Sequence, residues 1–236
     1  MLEKLSGAKK KDIHASVIKK TLRYLAQPIA VFLSKTAVTP NQVSFTCFIL
    51  SLVSAYLFYL QGYSNILLAS LLLFFSLILD RVDGSLARIK NMSSDYGFWL
   101  DKTLDVISIS IIFLAITWGV YNRTLDYKVW IFGYLGILSY MLMVSHYYDF
   151  KSIFSFGNSI ISKERKNHQF LIQFYYHNPL ISILIIFFAL FNSLYWFLIF
   201  VGIYGPLCMV IQHLMFTYKI KKHIKLSPQS TQDEKI

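Results

Sequence analysis

Six apolar runs, most of them long enough to cross a bilayer as a helix, constrain this chain more than any other feature. They fall at 43–60, 66–86, 96–120, 129–148, 180–191 and 194–218. A backbone that crosses lipid must satisfy its own hydrogen bonds, so each run of about 20 apolar residues is read as a helix. The fifth run is short, and Asn178 followed by Pro179 supplies a cap and a first-turn proline at its start. A chain that is 56% hydrophobic and 15% charged fits this reading and excludes an ordinary soluble domain. The expected fold is an all-α integral membrane protein with six transmembrane helices and an N-terminal amphipathic interfacial helix.

That interfacial helix is expected within residues 11–34, where Ile13, Val17, Leu25, Ile29 and Phe32 recur at near-helical spacing around Lys19, Lys20 and Arg23. Pro28 is a point where it could break in two. Residues 1–38 are read as a basic amphipathic head, 39–218 as one helical bundle and 219–236 as a basic, polar tail. The head lacks a compact apolar core ahead of a small-residue cleavage site, so no secretory signal is expected there.

The net charge of +11 invites a nucleic-acid reading, but its distribution argues against one. Lys and Arg crowd the segments before the first run, after the second, after the fourth and after the sixth. The connections between them hold only Arg123 and Lys128. This is the positive-inside pattern, with both termini cytoplasmic and no nucleic-acid partner. The basic face would lie against anionic lipid headgroups. Trp118, Tyr121, Tyr127 and Trp130 bracket the connection on the other side and fit an interfacial aromatic belt. Asn122-Arg123-Thr124 there matches a glycosylation acceptor only by a common pattern, and Cys47 and Cys208, inside apolar runs, are read as small core residues.

Four aspartates stand out against this apolar background. Asp80 and Asp83 lie three apart at the end of the second run, and Asp101 and Asp105 four apart near the start of the third, so each pair shares a helix face. A short connection makes the two helices antiparallel and brings both pairs to one depth. Ionised carboxylates this close repel, and hard oxygen ligands in an apolar setting call for a divalent cation such as Mg²⁺ or Mn²⁺. Gly84 and Ala87 beside the first pair, and Gly97 one turn before Asp101, leave room for a bulky ligand; Arg88 offers a permanent cation suited to phosphate.

The run Asp80-Arg81-Val82-Asp83-Gly84-Ser85-Leu86-Ala87-Arg88, followed by Gly97, Asp101 and Asp105, resembles the signature of the CDP-alcohol phosphatidyltransferases at all eight fixed positions. Thr39-Pro40-Asn41-Gln42-Val43-Ser44 resembles a second, Pro-Asn-x-x-Thr element of that family, with Ser44 in place of Thr. Taken alone, Thr39 to Gln42 reads as a capping box with proline at the first helical position.

The resemblance implies a six-span bundle, a homodimer, and an active site on the cytoplasmic side. It implies transfer of a phosphoalcohol group from CDP-diacylglycerol or a related CDP-alcohol to an alcohol acceptor, with release of CMP. Asp80, Asp83, Asp101 and Asp105 would hold two Mg²⁺ or Mn²⁺ ions, with Asp105 also the general base. Gly84, Ala87, Arg88, Ser94 and Gly97 would meet the CDP-lipid, and Asn41, Gln42, Val43 and Ser44 would close over its nucleotide. Some relatives with phosphate-bearing acceptors carry a basic residue after the fourth aspartate. Val106 stands there in this chain, which favours an uncharged or zwitterionic acceptor, serine included.

His146, Asp149, Lys151, Lys163, Arg165 and His213 are candidates for an acceptor pocket, each with ordinary interfacial decoration as its competing explanation. Two rival functions remain. A cation transporter could place aspartates in its bundle but would not need Gly84, Ala87, Arg88 and Gly97 at fixed offsets. A membrane prenyltransferase would carry a second aspartate-rich motif, and none follows residue 150.

Overall fold

The structure is a computed structural model and describes residues 17–155 and 178–226. Among these residues the chain is helical, with α1 Val17–Ser34, α2 Pro40–Leu60, α3 Tyr63–Ile89, α4 Asp95–Thr124, α5 Lys128–Ser155, α6 Asn178–Leu190 and α7 Leu194–Leu226. Residues 1–16, residues 156–177, which include Lys163 and Arg165, and residues 227–236 lie outside the described residues.

Local chemistry sets the helix ends. Thr39 accepts from the Gln42 backbone N–H at 3.4 Å while the Gln42 side chain accepts from the Thr39 N–H at 2.9 Å, so the capping box forms and Pro40 opens α2. Gln61 and Gly62, with φ of 56° and 83°, reverse the chain between α2 and α3. Asn91, at φ 55°, ends α3, and the Ser94 hydroxyl accepts from Gly97 N–H at 3.0 Å to start α4. The second and third apolar runs are thus joined by a tight connection, as the antiparallel arrangement of the aspartate pairs requires.

Among the described residues, five helices are long and apolar enough to cross a membrane: Pro40–Leu60, Tyr63–Ile89, Asp95–Thr124, Lys128–Asp149 and Leu194–Tyr218. The expected sixth is a helix of 13 residues, Asn178–Leu190. At about 1.5 Å per residue it is roughly 20 Å long, short of the roughly 30 Å of a hydrocarbon core.

α1 runs through Pro28 without a break. Leu22, Ala26 and Ala30, spaced by four, are buried against α3, in a cluster with Val43, Leu77, Val82 and Leu86. The opposite side leaves Tyr24 and Phe32 exposed. Lys90 at the end of α3 donates to the carbonyls of Thr36 and Val38 at 2.6 and 2.7 Å, tying the α1–α2 linker to the end of α3.

α2 packs most closely on α3 and α4. Small hydroxyl residues hold the α2–α3 seam: Ser51 and Ser76 share a 3.0 Å hydrogen bond, Ser76 donates to Cys47 O at 3.1 Å and Ser54 donates to Ala69 O at 2.8 Å. Such contacts suit lipid, where close backbone approach and interhelical hydrogen bonds replace the hydrophobic drive. A second core around Phe58, Ile66, Ile112, Phe113, Ile116 and Phe197 joins α2, α3, α4 and α7. Cys47 and Cys208 are both buried and neither is in a disulfide among the described residues.

At the end of the bundle far from the aspartates, Trp118 and Trp130 meet edge to face at 5.8 Å and Tyr121 lies 6.0 Å from Trp130, while Tyr127 stays exposed. In the α4–α5 connection Asp126 accepts from the Lys128 backbone N–H and from the Tyr195 hydroxyl, and these bonds hold its carboxyl below the usual range.

Candidate active site

Asp80 and Asp83 sit on the last turns of α3, and Asp101 and Asp105 on the first turns of α4. One carboxylate oxygen each from Asp80, Asp101 and Asp105 fall within 4.8 Å of one another. Asp83 stands apart from this trio: it is 5% exposed, its Oδ2 accepts from the Ser44 hydroxyl at 2.6 Å and its Oδ1 from the Gly84 backbone N–H. All four line one cleft with about 480 Å³ of empty space, partly open to solvent, which continues past Ser44, Cys47, Ser51, Ser76, Ser108 and Ser182. The cavity proper is about 40 Å³, the rest of that space being open to solvent.

Two basic side chains occupy the trio. Arg81 reaches Asp80 Oδ2 at 2.6 Å, and the Lys102 ammonium lies 2.8 Å from Oδ2 of both Asp101 and Asp105. The Arg81–Asp80 pair is close but misaligned, so the buried Asp80 Oδ2 has no hydrogen-bond partner. Three carboxylates converging in an apolar bundle, one of them with an oxygen that makes no aligned hydrogen bond, are a donor set that fits a hard divalent cation. Lys102 was not singled out in the sequence, although its spacing of one from Asp101 and three from Asp105 is a readable signal.

The two family elements meet in space. A Cβ on Gly97 would lie 3.3 Å from Asn41 Oδ1 and 3.2 Å from Ser94 Oγ, so the start of α2 sits directly beside the start of α4. Ser44 reaches Asp83 across the α2–α3 seam. Within the second element the side chains divide: Asn41 is exposed beside Gly97, Ser44 turns to the aspartates, Gln42 caps α2, and Val43 is buried in the core.

Gly84 faces open space, its nearest would-be contact being Arg88 Nη1 at 3.6 Å. Arg88 is exposed and donates to Ser85 Oγ at 3.2 Å through one of the five N–H groups of its fork. Ala87 is half-buried and its carbonyl accepts from Met92 N–H at 2.8 Å in the turn that ends α3. Ser94 caps α4 as described.

From α5, Tyr140, buried, and Tyr148 stand close enough to Asp105 and Lys102 to feel their charges. Neither was named from the sequence, because nothing in the pattern of α5 marks which face looks at α4. His146 of α5 and His213 of α7 lie ring to ring at 5.4 Å, and Gln212 of α7 donates to Met143 O of α5 at 3.3 Å. Asp149 is exposed at the end of the same helix. The Lys151 side chain, Lys163 and Arg165 fall outside the described residues.

A family model described as CDP-alcohol phosphatidyltransferase matches residues 37–204. Archaetidylinositol phosphate synthase of Pyrococcus horikoshii is 35% identical over 104 residues, which are 44% of this chain and 54% of that protein. Phosphatidylinositol phosphate synthase of Corynebacterium glutamicum is 31% identical over 100 residues, 42% of this chain and 45% of that protein. The matches span about half the length of these curated relatives. The crystal structure of Mycobacterium tuberculosis phosphatidylinositol phosphate synthase with CDP-DAG bound superposes with a TM-score of 0.65 at 17% identity, covering 81% of this chain and 92% of that one. Its complex with manganese and citrate gives the same TM-score and identity, with 81% and 88% covered. At that identity the likeness is one of fold.

Proposed function

Because the chain belongs to the CDP-alcohol phosphatidyltransferase family, we propose that it transfers a phosphoalcohol group, phosphatidyl in the first instance, from a CDP-linked lipid to an alcohol and releases CMP. The observation that carries this is the convergence of one carboxylate oxygen each from Asp80, Asp101 and Asp105 within 4.8 Å, in a cleft that Asp83 also lines.

In this reading Asp80, Asp83, Asp101 and Asp105 hold two Mg²⁺ or Mn²⁺ ions. The chemistry supplied by such ions is neutralisation of pyrophosphate charge and stabilisation of the attacking and departing oxygens. Ser44 and the Gly84 N–H orient the Asp83 carboxylate. Arg88 binds donor phosphate at the rim, where Gly84 lets the ligand approach the α3 backbone. Asn41 and the Gly97 surface receive the nucleotide, with Gln42, Val43, Ala87 and Ser94 shaping that surface by holding the helix ends.

The acceptor hydroxyl attacks the phosphorus attached to the lipid alcohol, the bond from that phosphorus to the CMP oxygen breaks, and the hydroxyl proton passes to Asp105. Val106 after Asp105 favours an uncharged or zwitterionic acceptor. The bundle, residues 39–218, is completed in this reading by α6 as a sixth crossing and works as a homodimer, with α1 lying along the membrane surface and the site and both termini cytoplasmic. The charge distribution supports that orientation.

An exchange assay tests the reaction class without knowledge of the acceptor. Purified protein with Mg²⁺ or Mn²⁺, CDP-diacylglycerol and radiolabelled CMP should move label into the CDP-lipid. No exchange with any CDP-alcohol would remove the reading, and cation flux in liposomes without exchange would favour a transporter. A panel of acceptors, inositol phosphate and serine among them, then identifies the product.

A further inference from the structure

We propose that Lys102 is a built-in stand-in cation: its ammonium holds Asp101 and Asp105 together in the metal-free protein and must be displaced when a divalent ion enters. The inference rests on the metal role proposed for the aspartates.

The Lys102 Nζ is 2.8 Å from oxygens of two carboxylates that both belong to the convergent trio. It lies on α4 itself, one residue after Asp101 and three before Asp105, so it needs no other element to reach them. Three carboxylates at this separation in an apolar bundle repel strongly unless a positive charge lies among them. Arg81 occupies only the Asp80 side. Without Lys102, Asp101 and Asp105 would face each other with no described cation paired to either.

The same contact opposes metal binding. A divalent ion takes carboxylate oxygens at about 2.0–2.6 Å, and an ammonium held on those carboxylates both occupies ligand positions and repels the incoming charge. Lysine suits displacement where arginine would not. Its charge is compact, on a flexible four-carbon stem, and the side chain is 35% exposed, so water lies within reach once it lets go. Release also frees the Asp105 oxygen that a general base would need. Metal entry and liberation of the base are then one event, and the metal-free site is held closed to proton transfer by its own lysine.

A supporting lysine and a competing one predict opposite signs. If Lys102 merely buttresses the site, its removal loosens the carboxylates and weakens metal binding. If it competes, removal tightens binding, because the metal no longer has to expel it. The experiment measures Mn²⁺ binding to detergent-purified protein without substrate, from the electron paramagnetic resonance signal of free Mn²⁺, for wild type, Lys102→Met, Lys102→Gln and Lys102→Arg. Thermal melts in EDTA and in saturating Mn²⁺ accompany it.

We expect the two uncharged variants to bind Mn²⁺ about tenfold more tightly than wild type, the usual scale of coupling between two ligands. They should melt lower in EDTA and regain stability in Mn²⁺. Lys102→Arg should not tighten binding. Should Lys102→Met fail to survive metal removal, Lys102→Gln, with a polar head, provides the affinity. Equal or weaker Mn²⁺ binding by the uncharged variants overturns the inference while leaving the aspartates as ligands. No Mn²⁺ binding by wild type overturns the metal reading, and the inference with it.

Discussion

The Ser44 hydroxyl donates to Asp83 Oδ2 at 2.6 Å, across 39 residues of sequence, and so joins the element at the start of α2 to the aspartate motif at the end of α3. Ser44 is 7% exposed and Asp83 5%, so the bond is largely shielded from water. Hydrogen bonds to charged groups contribute about 1.5–3 kcal/mol, and a buried carboxylate left short of a donor bears that cost in full. Ser44→Ala should therefore lower stability by about 2 kcal/mol and reduce CMP exchange. Ser44→Thr, which keeps the hydroxyl, should restore both. Thermal melts in detergent beside the exchange assay check this, and a silent Ser44→Ala would show that Asp83 does not need the bond.

Asp80 and Asp105 belong to the same trio but have different proposed duties. Asp105→Asn removes the proton acceptor and should lower turnover by about 10²–10⁴-fold, the usual contribution of a general base, with CDP-lipid binding largely kept. Asp80→Asn should lose metal-dependent binding of the CDP-lipid as well. Single-turnover rates and equilibrium binding of the CDP-lipid separate the two. Normal turnover in Asp105→Asn would remove its assignment.

Gly84 permits a cleaner test of ligand approach. It has ordinary helical backbone, and a Cβ there would touch only the flexible end of Arg88, at 3.6 Å. Gly84→Ala should fold as well as wild type, or slightly better, since alanine favours a helix by about 1 kcal/mol. Yet the methyl group would project toward the space assigned to the donor. We expect exchange to fall at least about tenfold, the scale of a misplaced substrate, with no drop in melting temperature. Full activity would mean that the ligand keeps its distance from this face of α3.

The aspartate site was legible because both pairs follow helix periodicity and the connection between α3 and α4 is too short for any arrangement but a hairpin. The capping box at Thr39 was legible for the same local reason, and it fixes where Gln42 points. What could not be read depends on contacts between distant elements. Asp83 leaves the trio because Ser44 and Gly84 N–H claim it, Lys102 enters because no other described cation serves Asp101 and Asp105, and Tyr140 faces them only once α5 has packed on α4. Pro28 looked like a break, but the apolar face Leu22, Ala26 and Ala30 continues through it and packing on α3 sustains the helix. The fifth apolar run is the shortest in the sequence, and its described helix, Asn178–Leu190, is likewise the shortest of the bundle.

Gly202 on α7 offers the opposite case to Gly84. A Cβ there would lie 2.7 Å from Cα of Phe132 on α5 and equally close to its side chain. Helix propensity favours Gly202→Ala by about 1 kcal/mol, but overpacking a tight helix contact costs about 1–3 kcal/mol, so the steric effect should win. Trimming the ring should not rescue it, because the nearest obstacle includes the Phe132 backbone. Gly202→Ala should therefore melt lower than wild type, and combining it with Phe132→Ala should lower stability further, with little favourable coupling between the two. Melts of the two single variants and the double variant decide the point. Full rescue by Phe132→Ala would mean that the ring alone, and not the approach of the α5 backbone, requires glycine there.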